Sequence, residues 1–291
     1  MKWWHGWAPI VVGPIACLVF IPSRWPPWAF MWTLAFALYC GCKWLTWRRT
    51  PVPPLPRWRH VAYLLAWPGL DAAAFLDPSS TDHRSPNPSA GEWMFAIIKC
   101  SLGLVMFFGL ARMIPPQYPY LVGCVGMIGF VFILHFGIFH LLSCAWRRLG
   151  VDARPLMNWP IAADSVSEFW GHRWNTAFRD LTYRFLFRPL ITLVGVRGAV
   201  LLGFLVSGLI HELVISVPAQ GGYGGPTVFF LVQGSAMLIG RSVAGRRMGL
   251  GSGYGGWLFT MIVLLVPGLL LFHPPFVLEV VLPFMNIVRA V

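Results

Sequence analysis

The run SVSEFWGHRWNTAFRDLTYRFLFRPL at 165–190, followed by LLGFLVSGLIHELVIS at 201–216, decides how the rest of the chain is understood. The first part mixes aromatic and basic side chains, and the second is apolar until His211 and Glu212. Ionisable groups inside a hydrophobic span are costly to bury, and they tend to mark a substrate or proton site. Ser165 and Glu168 have capping-box spacing, which predicts a helix start. Trp170, Trp174, Ala177, Phe178, Leu181 and Phe185 recur every three or four residues, so one helical face is apolar. His172, Asn175 and Arg179 fall on a neighbouring polar face, and Pro189 is expected to end the helix. The same pattern fits an ordinary interfacial helix, with arginines for headgroups and tryptophans at the boundary.

Working outward, the composition excludes a soluble globule. Of 291 residues, 57% are hydrophobic and only 11% are charged, too few to cover a water-exposed surface. Apolar runs at 7–21, 27–47, 94–111, 118–144, 190–216, 226–240 and 256–272 approach the roughly 20 residues that cross a bilayer. The tail at 275–291 either spans or lies in the interface. The expected fold is all-α: a polytopic integral membrane protein with about seven to nine membrane helices plus the amphipathic interfacial helix. The run at 7–21 has no small-residue cleavage site after it and is taken as a membrane segment rather than a removed signal.

The net charge of +12 would point to nucleic acid in a soluble domain. Here the arginines sit in short loops between apolar runs, so orientation by the positive-inside rule accounts for them and no nucleic-acid partner is expected. They are also suited to anionic headgroups or a phosphorylated substrate. If 58–76 crossed fully, the basic loop at 43–59 would oppose those at 145–189 and 241–247. With Pro68, Gly69 and Asp71 inside it, 58–76 is expected not to cross. That puts Lys2, the N-terminus and all three basic loops on the cytoplasmic side, with the turn at 220–226 opposite. The six cysteines form no CxxC pair and are expected to be buried small hydrophobes.

Gly203, Ser207 and His211 share one helical stripe, and Gly208 and Glu212 the next. Small residues below His211 either leave a groove for a substrate chain or permit close helix packing. His211 is either a hydrogen-bonded core histidine or a working one. An HExxH zinc motif fails because position 215 is Ile, and His135 and His140 do not share a helix face, so no metal is expected. No nucleophile elbow or phosphate-binding loop appears.

FWGHRWN followed by SGLIHE resembles the membrane-bound O-acyltransferase superfamily, specifically its wax-synthase-like branch, and FHPPF at 272–276 is similar to that branch too. The resemblance implies one domain over 1–291, with the specific motifs inside 155–216. It implies His211 and Asn175 as catalytic residues, with Trp170, His172, Arg173, Trp174, Arg179, Ser207 and Glu212 around the substrates. Sterol and diacylglycerol relatives carry an acidic–Trp–Trp run where this chain has His172-Arg173-Trp174, a departure that bears on acceptor choice. The implied reaction moves a fatty acyl group from acyl-CoA, a co-substrate, to a long-chain alcohol, with no cofactor. A sterol, a glyceride or a secondary-metabolite alcohol is the alternative acceptor. A neutral imidazole suits removal of the alcohol proton near pH 7. The rival class is a proton-coupled transporter using His211 and Glu212 as a relay.

Overall fold

The computed structural model describes residues 6–22, 24–77 and 86–291. Lys2 and the 78–85 part of the polar loop lie outside them. The regular structure among the described residues is all helical, 77%, with no strand among them. Among the described residues, four helices are long and apolar enough to cross a membrane: Ala90–Met113, Pro119–Arg148, Thr176–Ala219 and Gly253–Leu271. That is fewer than the seven to nine expected. Ala8–Phe20 and Pro274–Ile287 are apolar but shorter. Gly225–Arg241 has 17 residues, and Pro27–Arg49 dilutes its apolar run with Lys43, Arg48 and Arg49.

The chain forms two compact units, residues 1–156 with 281–291, and residues 157–280. In the first, glycines let helices touch along their backbones. A Cβ on Gly41 would stand 2.7 Å from the Ile10 Cα, and one on Gly103 would stand 2.6 Å from the Ile133 nitrogen. Phe107, Ala111, Val122 and Met285 fill the core between the Ala90–Met113 and Pro119–Arg148 helices.

Residues 58–76 do not make one helix. Arg57–Ala66 runs for 10 residues, and Ala72–Leu76 starts afresh with the Asp71 side chain accepting from the Ala74 N–H. Ten residues rise only about 15 Å, half a hydrocarbon core. The break is tied down by Lys43, 2% exposed, which donates to the Gly69 carbonyl at 2.5 Å and sits 3.5 Å from the centre of the Tyr63 ring.

The polar stretch ends earlier than its composition indicates. Ser89 accepts from the Glu92 N–H at 3.1 Å and opens the next helix at Ala90. Glu92 then anchors a network of charged side chains. Its Oε1 receives the His140 Nε2–H at 3.0 Å and the Arg147 guanidinium. Lys99 Nζ lies 2.8 Å from His140 Nδ1.

In the second unit the expected helix over 165–188 is interrupted. A short turn of helix from Val166 widens into a π-helix over Phe169–Arg173. The backbone then breaks at Trp174 (φ −100°, ψ 124°) and at Asn175, which is left-handed (φ 42°, ψ 63°). Asn is one of the few residues with a Cβ that tolerates that region. Thr176 starts a new helix, so His172, Asn175 and Arg179 do not share a face. Pro189 does not stop the chain either. It is the second residue of Arg188–His211, directly after the π-helix Tyr183–Phe187, and the chain stays helical through it. The break comes instead at Gly195, with φ 69° and ψ 174°.

Candidate active site

His211 ends the Arg188–His211 helix and faces Phe230 of Gly225–Arg241, with ring centroids 4.4 Å apart. Its Nδ1 lies 2.7 Å from the Ser207 carbonyl oxygen. A carbonyl only accepts, so Nδ1 carries the proton and Nε2 of the neutral ring presents its lone pair. Nε2 has no hydrogen-bond partner among the described residues. Ser207 orients the imidazole through its backbone, while its hydroxyl turns back to the Gly203 carbonyl at 3.0 Å.

Glu212 points elsewhere. Its Oε1 accepts from the Thr227 N–H at 3.1 Å and from the Thr227 hydroxyl at 3.0 Å, and its Oε2 is buried without a partner. His211 and Glu212, adjacent in sequence, are not paired with each other.

The two glycines of this helix separate the alternatives left open by the sequence. A Cβ on Gly208 would stand 2.7 Å from the Thr227 Cα, so this glycine serves close helix packing. Gly203 is buried, yet a Cβ there would meet nothing within 4 Å. Open space therefore lies on the stripe shared with Ser207 and His211. Gly203→Ala is expected to fold and to gain up to about 1 kcal/mol from helix propensity. Gly208→Ala should lose about 1–3 kcal/mol by overpacking. Thermal unfolding in detergent checks both, and equal shifts at the two positions would contradict this division.

The FWGHRWN segment meets His211 through aromatic rings. Trp170 contacts Phe230 at 5.6 Å and Phe204 at 5.7 Å, and its Nε1 donates to Gln233 Oε1 at 3.4 Å. Phe230 thus touches both Trp170 and His211. Trp174 stacks on Phe169 at 5.6 Å, 12° from parallel, and His172 is exposed. Asn175 donates its backbone N–H to Met157 Sδ at 3.3 Å. Its side-chain amide makes no hydrogen bond among the described residues, and none joins it to His211.

The two arginines of the motif have internal partners. Arg173 pairs with Glu168 at 2.7 Å and donates to the Asn158 and Trp159 carbonyls at 3.3 and 3.2 Å. Its guanidinium holds the Glu168 carboxyl below the usual carboxylate range. Arg179 donates to the Gly171 carbonyl at 2.9 Å and pairs with Asp180. Both close the turn on itself.

Sequence reasoning missed Gln233, wholly buried, which donates to the Val263 carbonyl at 2.8 Å. Its signal was visible, a lone amide within the apolar run 226–240. His273 of FHPPF is fully engaged. Its Nδ1 accepts from the Phe276 N–H at 3.2 Å, leaving Nε2–H for the buried Ser216 hydroxyl at 3.3 Å. It caps a turn rather than serving as a base. For a metal, Glu92, His140 and Cys144 place donor atoms within 4.8 Å of one another. Arg147 and Lys99 already bring positive charge to that place, which disfavours a cation.

Comparison with known proteins agrees with the motif reading. Residues 153–232 match the membrane bound O-acyl transferase family, and with the four apolar helices this identifies an integral membrane protein. Among curated proteins, the chain is 29% identical over 211 residues to a long-chain-alcohol O-fatty-acyltransferase of Simmondsia chinensis, covering 63% of this chain and 59% of that protein. It is 32% identical over 154 residues to the probable long-chain-alcohol O-fatty-acyltransferase 9 of Arabidopsis thaliana, covering 47% of this chain and 43% of that one. The chain therefore spans about half the length of the curated relatives it matches.

Proposed function

We propose that this chain transfers a fatty acyl group from acyl-CoA to the hydroxyl of a long-chain alcohol, giving a wax ester. The observation that carries the reading is the His211 ring, anchored at Nδ1 with its Nε2 lone pair uncommitted. In this scheme Nε2 takes the alcohol proton as the oxygen attacks the thioester carbonyl. The carbon–sulfur bond then breaks, and the proton passes from His211 to the departing thiolate, so the products are the ester and free thiol. The Asn175 amide donates to the thioester oxygen as it gains negative charge. The acyl and alkyl chains occupy apolar space such as that beside Gly203. The basic loops face the cytoplasm, where the charged head of the donor stays in water. No bound cofactor enters the scheme.

The relatives' printed activity favours an alcohol acceptor, and the departure at 172–174 fits one other than a sterol or diacylglycerol. The test is purified protein with labelled acyl-CoA and a panel of a long-chain alcohol, a sterol, a diacylglycerol and a secondary-metabolite alcohol. Ester formed only on the long-chain alcohol is the expected outcome. Ester on a different acceptor alone would reassign the substrate. Asn175→Ala is expected to lose about 2.7–4 kcal/mol of barrier lowering, the usual cost of one oxyanion donor. Asn175→Gly keeps the backbone freedom but not the amide. Restored turnover in it would assign Asn175 a purely conformational role.

A further inference from the structure

We propose that a second site in the 157–280 unit binds an organic phosphate, the head of the thioester donor. A cavity of about 180 Å³ opens where residues 165–167 meet the end of the Gly225–Arg241 helix and the turn after it. Its apolar wall includes Val166 and Met237, and its polar wall carries Ser165, Ser167, Arg241 and Arg246. A water occupies roughly 30 Å³ of liquid, so there is room for a phosphate or diphosphate group.

The charges are what ask for an anion. Arg241 spends Nε on the Ser167 hydroxyl at 2.8 Å, and Arg246 spends Nη1 on the Arg241 carbonyl. The remaining guanidinium donors have no protein acceptor, and no carboxylate pairs with either arginine among the described residues. Both arginines are exposed to solvent at the cavity mouth, and two guanidinium groups without a carboxylate between them draw an anion to that place. Phosphate oxygens match the guanidinium fork, and the Ser167 hydroxyl keeps a proton to donate.

The distance from His211 is also suited to one molecule. Phe230 touches His211, and Arg241 lies eleven residues further along the same helix, about 16 Å at the α-helical rise. An extended thioester with a phosphate head and a linear arm reaches both places at once. Phosphate binding itself is independent of the acyl-transfer reading; the donor's identity rests on it.

An anionic lipid headgroup offers the same chemistry, so the test has two arms. Full-length protein in detergent is titrated with coenzyme A, and in parallel with vesicles of phosphatidylcholine with or without phosphatidylglycerol. R241Q/R246Q is expected to weaken coenzyme A binding roughly 10- to 100-fold, to raise KM for acyl-CoA with kcat kept, and to leave vesicle binding alone. R247Q, a neighbouring charge outside the cavity, should change none of these. Unchanged coenzyme A affinity in a double variant that melts normally would overturn the proposal. So would an equal loss in R247Q, or a loss confined to anionic vesicles. If R241Q/R246Q does not fold, Ser167→Ala, which releases Arg241 from its anchor, must weaken coenzyme A binding for the proposal to survive. Should His211→Ala still make ester while R241Q/R246Q loses coenzyme A, the base assignment falls and the phosphate site stands.

Discussion

Replacing His211 with alanine is expected to cut ester formation by about 10²–10⁴-fold, the usual contribution of a positioned general base. The loss should appear in kcat, because nothing in the scheme uses His211 to hold the donor's charged head. His211→Gln is the sharper control. Its amide can still donate to the Ser207 carbonyl and pack on Phe230, but it cannot take a proton. Glutamine should therefore be as inactive as alanine while melting closer to the unsubstituted protein. Turnover of labelled acyl-CoA by purified variants, with unfolding midpoints measured alongside, checks both. Undiminished turnover in either variant removes His211 as the base.

The second large effect is on stability and lies in the other unit. Among the described residues, Glu92 is the one carboxylate in the network of Lys99, His140 and Arg147, and the Arg147 side chain is only 4% exposed. Glu92→Gln leaves that guanidinium buried without a counter-charge, and breaking a buried pair from one side costs about 3–5 kcal/mol. The lower end is expected, since Glu92 keeps 27% exposure. Replacing both partners by methionine should restore much of the loss, because burying neither charge also removes the desolvation penalty. Unfolding of the single and double variants in detergent decides it. A single variant melting with the unsubstituted protein would mean the network contributes nothing.

The membrane class was legible from composition, because apolar runs bounded by arginines leave few other folds. The FWGHRWN and SGLIHE segments were legible from residue type and spacing, and Phe230 does bring Trp170 and His211 against a common ring. The turn geometry was not. Asn175 can sit in a regular helix or in left-handed backbone, and the surroundings of Met157 and Phe169 select between them. Gly203 and Gly208 look alike in the sequence, and their different duties depend on Thr227 from the next helix. The Glu92 network joins residues up to 55 positions apart, beyond any local pattern. The Ser89 and Glu92 spacing, the same as at Ser165 and Glu168, was there to be seen as a helix start.

The bend at Gly195 governs how deep His211 sits. An unbroken rod of the 44 residues Thr176–Ala219 would measure about 66 Å, twice the hydrocarbon thickness. Severed at Gly195, its later part runs about 36 Å, enough for one crossing, and the earlier part is free to lie along the bilayer surface. His211 then stands about 12 Å inward from the Ala219 end. An alcohol reaching it must strip its hydroxyl of water well below the headgroups. Under the proposed reaction, acceptors that already partition into oil are favoured over short water-loving alcohols, and a panel graded by chain length reads that preference.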